Sequence, residues 1–215
     1  MYRASAFYFA LALLIAIAGF YPTYFSVLAK TDAAHHFHGV TATLWMGLLI
    51  VQAGLYRAGK LALHRKMGRL SLVLVPLFLV SGAGVVRTML VNRGGFSQAY
   101  GARLAFVDLL SLGCFALAFA LALVHRRNLH LHARYMATTA LLVLPPALGR
   151  LLPMLSTRIQ TFDLAFHSSY LITELMVAWL LLQDLRSQRS LRPCALLLTV
   201  LALQQLGFVL LPHLG

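Results

Sequence analysis

Seven runs of mostly apolar residues, each about the length of a membrane crossing, constrain this chain more than any other feature. They cover about residues 5–29, 36–57, 69–92, 103–125, 133–155, 164–185 and 193–212. A helix needs about 20 apolar residues to cross the hydrocarbon layer. A bilayer offers backbone groups no water to bond, so only helices and closed barrels span it. None of the runs shows the short alternation of barrel strands. The expected fold is an all-α polytopic membrane helix bundle of about seven transmembrane helices, a single integral membrane domain over 1–215. Composition agrees. The chain is 60% hydrophobic and 11% charged, against about 25% charged in soluble domains, too little polar surface to coat a water-soluble globule of this size.

Lys and Arg outnumber Asp and Glu 18 to 5. In a soluble protein that excess points to nucleic acid. Here the cations sit in short loops between apolar runs, so membrane lipid is the expected partner and nucleic acid is not. Arg3 precedes the first run. Arg57, Lys60, Arg65, Lys66 and Arg69 lie between the second and third. Arg126, Arg127 and Arg134 lie between the fourth and fifth, and Arg186, Arg189 and Arg192 between the sixth and seventh. The opposite loops hold Lys30, Arg93, Arg103 and Arg158, with Asp32 and Asp163 among them. The positive-inside rule then places the N-terminus inside and the C-terminus outside. The first run is too long for a typical signal-peptide core and no clear A-x-A site follows it, so it reads as a retained helix. Cys114 and Cys194 fall at or inside apolar runs without a CxxC and read as small buried hydrophobes.

A faint repeat runs through the middle. Leu61-Ala-Leu-His64 closes the loop after the second run, and Leu129-His-Leu-His132 closes the loop after the fourth. Each precedes a basic residue two places on (Lys66, Arg134). Each then precedes a helix with mid-span proline (Pro76; Pro145 and Pro146) and a later arginine (Arg87; Arg150). Two copies of one hairpin, related about an axis along the membrane normal, would make a four-helix core over about 36–155. Helices 5–29, 164–185 and 193–212 would flank it.

Charged groups inside a bilayer are costly and face a bundle interior with a partner. Arg87, Asp108, Arg150 and Glu174 are such groups. His167 lies seven residues before Glu174, on the same helical face. With His36 or His38 from the His35-His36-Phe37-His38 run they define an outer cluster. The bland reading is that Arg87–Asp108 and Arg150–Glu174 are structural ion pairs and that the histidines are wetted helix ends. His64, His125, His130 and His132 make a second group at the inner face, where the bland reading is contact with lipid phosphate. Two imidazoles on one level are what an axially ligated heme needs. His38 and His64 are 26 residues apart, about 39 Å in a helix. That separation suits two sites, one near each face, with arginines to neutralise propionates.

The motifs His64-Arg-Lys-Met-Gly-Arg69 and His132-Ala-Arg-Tyr-Met136, with the His-rich start of the second helix, resemble a bacterial family of uncharacterised multi-spanning membrane proteins. Its pattern is a histidine atop one helix, then HR-x-x-G, then HxxWM or HxRxM. The resemblance covers about residues 35–155 and implies a multi-pass protein of the bacterial inner membrane. More distantly, histidine-bearing helices around a four-helix core are similar to transmembrane diheme b-type cytochromes and ferric-reductase domains. That likeness implies His38 with His167 or a neighbour as outer ligands and His64 with His132 or His125 as inner ones. The chain departs from the diheme pattern in that its inner histidines sit in loops or at helix ends, and no strict pair falls on the second and fourth helices.

Three functions follow. The first is a heme-b oxidoreductase or electron-transfer protein with Arg87 and Arg150 on the propionates, working with a quinol or a redox partner protein. No Gly-rich nucleotide motif is present, so any NADH or flavin donor is separate. The second is a zinc or non-heme iron membrane enzyme, its metal held by a set drawn from His36, His38, His125, Asp108, His167 and Glu174. The third is a proton-coupled transporter or structural subunit, with Asp108 and Glu174 relaying protons beside the Pro145-Pro146 break.

Overall fold

The computed structural model describes residues 4–92 and 94–211. Arg3, Arg93 and Pro212, which entered the orientation and span expectations, lie outside them. Every regular element among the described residues is helical. They are α1 (Ser5–Phe20), a 3-10 segment Phe25–Lys30, α2 (Ala33–Arg57), α3 (Leu61–Gly68), α4 (Ser71–Val91), α5 (Gly95–Val124), α6 (Leu129–Leu141), α7 (Leu144–Leu155), α8 (Phe162–Arg186) and α9 (Arg192–Leu210). Five helices are long and apolar enough to cross a membrane: α2, the continuous α3–α4 stretch Leu61–Val91, α5, α8 and α9. The pair α6 and α7 makes a sixth if counted as one span bent by 42°.

The differences from the expected spans have local causes. α1 stops at Phe20, nine residues short of the expected end, at Pro22, which has no N–H to donate to the Ala18 carbonyl and so cannot continue the helical ladder. The chain then turns into the 3-10 segment. The fifth span breaks at Leu142–Val143 because Pro145 and Pro146 lack the N–H groups that would continue the ladder. Both sit in the first turn of α7, where that loss is tolerated. Pro76 lies inside α4 without ending it.

The helices pack as two rings that share α5 and the broken span. α1 meets α2 and α7, α2 meets α4, α4 meets α5, and α5 meets α6. On the other side α7 meets α8, α8 meets α9, and α9 meets both α5 and α6. α1 therefore completes the ring formed by the elements of residues 33–155. Two glycines permit close backbone approach. A side chain at Gly19 would strike the Ala147 carbonyl of α7, and one at Gly207 would strike the Phe106 ring of α5.

Trp45 fills the first ring. It is 2% exposed, lies edge-on to Phe115 and Phe119 of α5, and donates from Nε1 to Thr139 Oγ1 of α6 at 3.3 Å. The inner face of α2 carries His38, Trp45 and Gln52 at seven-residue intervals, two helical turns apart and so on one stripe. Polar side chains in a ring this apolar need partners from neighbouring helices, and those partners set the helix register.

Candidate functional site at the histidine mouths

The three histidines at the start of α2 do three separate jobs. Asp32 caps α2, its carboxylate accepting from His35 N at 3.0 Å and His35 Nδ1 at 2.6 Å. His36 donates from Nε2 to the Leu28 carbonyl at 3.1 Å, which leaves Nδ1 to accept from Tyr24 Oη at 3.2 Å. Both ring nitrogens of His36 thus pin the 3-10 segment. His38 turns into the first ring, where Nδ1 pairs with Ser81 Oγ of α4 at 3.2 Å and the ring lies against Phe78.

The bonds to His35 hold the Asp32 carboxyl below the usual carboxylate range, the His35 backbone N–H contributing most. A depressed folded value stabilises the fold above the unfolded pKa, and that stabilisation is lost as pH falls through the folded one. Asp32→Ala is expected to cost about 1 kcal/mol at neutral pH. Thermal midpoints of parent and variant in detergent should converge as the medium is acidified through the carboxylate range. A difference that persists in acid would remove the cap from the account.

At the basic end the two repeat-related histidines make matching bonds. His64 Nδ1 donates to the Gln52 carbonyl at 3.2 Å, and His132 Nδ1 donates to the Ala122 carbonyl at 2.9 Å. Each imidazole folds back onto the preceding span. A carbonyl can only accept, so Nδ1 carries the proton in both rings, and the neutral ring keeps its lone pair on Nε2. The two rings are close enough to act on each other electrostatically. The Gln52 side chain lies against α3, its Nε2 3.2 Å from where a side chain at Gly68 would start. Gln52 Oε1 is buried without a donor. His125 stacks on Tyr135 with centroids 6.0 Å apart.

The second ring has its own polar system. His167 Nδ1 donates to Gln205 Oε1 at 2.9 Å, and Gln205 Nε2 donates to Glu174 Oε1 at 2.8 Å. Asp108 of α5 and Arg150 of α7 act on each other electrostatically, and Tyr170 of α8 feels both Asp108 and Glu174. The anticipated pairs Arg87–Asp108 and Arg150–Glu174 do not form. Arg87 is exposed on α4. Arg150 lies over the Phe20 ring at 4.6 Å and donates to the Pro146 carbonyl at 2.8 Å, with Asp108 as its acid.

The outer histidines do not meet either. His38 engages α4 and His167 engages α9, with no hydrogen bond or ring contact between them among the described residues. The cause is rotation: α2 turns His38 into the first ring, and α8 turns His167 into the second. Among the described residues, no three His, Cys, Asp or Glu side chains converge closely enough to hold a metal ion. The outer set His36, His38, Asp108, His167 and Glu174 is dispersed for the same reason, and His36 has no nitrogen left to bind with.

Asp184 was not singled out from the sequence. It is fully buried near the end of α8 and takes Arg134 in a two-point pair, both contacts 2.8 Å. His130 Nε2 approaches the same carboxylate at 3.8 Å while donating to the Ser190 carbonyl, and the Cys194 thiol lies at 3.8 Å. The cluster ties α6, α8 and α9 together at the basic end. The available signal was that Asp184 is the lone acid among that end's cations.

No protein-family model, curated protein or solved structure matches the chain.

Proposed function

We propose that the protein is a membrane-embedded electron carrier with one heme b at its basic end, which His64 and His132 would hold. The observation that carries this reading is the matched pair of imidazoles. Each has Nδ1–H tied to a backbone carbonyl and a lone pair on Nε2, and the two are in electrostatic range. A carbonyl-bound Nδ1 is how ligating histidines are oriented and kept basic. Held by these two residues, heme would supply one-electron redox chemistry.

The rest follows from what the chain's own residues do. The two backbone carbonyls fix ring orientation before any ligand arrives. Arg57, Lys60, Arg65 and Lys66 are exposed around this mouth and supply positive charge for propionates, a role first assigned to Arg87 and Arg150. The separation of His38 from His167 favours one heme over two. Trp45, Phe115 and Phe119 line the path from this mouth toward His38. In this reading α1 serves as a seventh crossing, the basic end and N-terminus face the cytoplasm, and the protein lies in a bacterial inner membrane. Its redox partners would be a quinol or a second protein.

The test is a reduced-minus-oxidised visible spectrum of the purified protein reconstituted with hemin, with iron measured on the same sample. A sharp b-type α-band at one heme per chain is expected. His64→Ala and His132→Ala should each abolish it, while His38→Ala and His167→Ala should leave it. Spectra unchanged in both basic-end variants, or no band after reconstitution, would overturn the assignment.

A further inference from the structure

Two charged side chains of opposite sign sit on the outside of the fold, in helices long and apolar enough to cross a membrane, with no counter-charge in their own chain. Arg87 is exposed on α4, one turn before that helix ends at Val91. Glu174 is half-buried midway along α8. Gln205 Nε2 donates to Glu174 Oε1 at 2.8 Å, and no ion pair or second hydrogen bond reaches that carboxylate among the described residues. Arg87 has no ion pair or hydrogen bond among them either. The neighbouring arginines are engaged elsewhere: Arg150 with the Pro146 carbonyl and the Phe20 ring, Arg103 with the Leu211 carbonyl. Charged groups in a bilayer are expensive and pair with one another.

The two cannot pair inside one chain. Packing runs from α4 to α5, from α5 to α9 and from α9 to α8, which leaves α5 and α9 between them. They nonetheless share a level, and α5 is the ruler. The Met89 carbonyl of α4 lies against Gly101 of α5, 3.3 Å from where a side chain there would start. Gln204 of α9 donates to the Val107 carbonyl at 2.8 Å and to Ser111 Oγ at 2.7 Å. Arg87, just before Met89, therefore stands about one helical turn, or ~5 Å, further from the basic end than Gln204 and Gln205. Its Cα–Cβ bond tilts toward the start of α4, which is the basic end, so its long side chain closes that difference. Glu174 is held at the level of Gln205 by their hydrogen bond.

The face between the two charges is self-complementary. Around the outside of the fold the helices follow in the order α4, α5, α9, α8. A two-fold axis along the membrane normal, placed at the seam of α5 and α9, sets α4 of one copy opposite α8 of the other, and α5 opposite α9. Arg87 then faces Glu174 twice, once on each side of the axis. The middle of the face is apolar: Leu109 and Leu117 of α5 and Leu206 of α9 are exposed. Gly113, between the two α5 leucines, opens on empty space, and a small residue there lets the helices of two copies approach closely.

We propose that this face binds a second copy of the chain, forming a symmetric dimer closed by two Arg87–Glu174 ion pairs. Gln205 holds one carboxylate oxygen of Glu174 and leaves Oε2 for the guanidinium of the facing copy. The dimer does not depend on heme.

The test is energy transfer between full-length, heme-free copies labelled separately with donor and acceptor dyes on a C-terminal tag. The copies are mixed in phosphatidylcholine vesicles and diluted with lipid. The parent protein is expected to follow a monomer–dimer curve. Arg87→Gln and Glu174→Gln should each raise the dissociation constant about tenfold or more, since each removes both pairs and leaves the opposite charges unpaired. Arg87→Glu alone and Glu174→Arg alone should abolish transfer by setting like charges together, and the chain carrying both exchanges should dimerise again. Arg87 makes no bond within the fold, and Glu174→Gln keeps an acceptor for Gln205, so both Gln variants should retain the parent's helical circular dichroism. A parent protein that stays monomeric at every dilution would overturn the proposal, and so would dimer constants unchanged in both Gln variants.

Discussion

Asp184→Ala is expected to cost about 3–5 kcal/mol of stability, because it leaves the buried Arg134 guanidinium without its carboxylate. The pair is bidentate at 2.8 Å and Asp184 is fully buried. The His130 and Cys194 contacts to the same carboxylate disappear with it. Since the cluster joins α6, α8 and α9, the loss should appear as a lowered thermal midpoint of the detergent-solubilised protein and as early loosening of the basic end in hydrogen exchange. The apolar double variant Arg134→Met with Asp184→Leu should recover most of the loss, because removing both charges also removes their desolvation cost. A single variant as stable as the parent would mean that the cluster is wet and energetically neutral.

Trp45→Ala is expected to lose about 3–5 kcal/mol through the cavity it opens. The indole is 2% exposed, packs on Phe115 and Phe119, and bonds Thr139. It is the contact by which α2 reaches α5 and α6 across the first ring. The midpoint of the detergent-solubilised protein should fall. Trp45→Phe should keep most of the packing and lose only the bond to Thr139, about 0.5–1.5 kcal/mol. Equal losses in the two variants would show that the hydrogen bond dominates, and the ring packing would then matter little.

The class of fold was legible in the sequence. Apolar runs near 20 residues point to membrane-spanning helices, and every regular element among the described residues is helical, with five or six helices long and apolar enough to span a membrane. Element ends were legible where chemistry was local. Pro145 and Pro146 announced a break in the fifth span, whereas the cap that Asp32 makes on α2 was not read from the sequence. The repeat between His64 and His132 also showed in the sequence, and the two histidines make equivalent bonds to carbonyls 12 and 10 residues back. The early stop of α1 at Phe20 was less legible, since hydropathy continues through 21–28 and only the missing N–H of Pro22 ends the helix.

Which polar groups meet was decided by tertiary structure. A sequence gives a residue's depth in a helix but not the rotation of that helix against its neighbours. Depth alone put His38 and His167 together and paired Arg87 with Asp108. Rotation sent His38 to Ser81 and His167 to Gln205, and left Arg87 on the outside. Asp184 and Arg134 looked like ordinary charges at two helix ends, fifty residues apart. Folding buries both at one point, because α6, α8 and α9 converge there and a carboxylate cut off from water needs a cation beside it. The sequence determined that the chain folds into helices, five or six of them long and apolar enough to cross a membrane. The two-ring packing around the broken fifth span decided which of its few polar residues share a site.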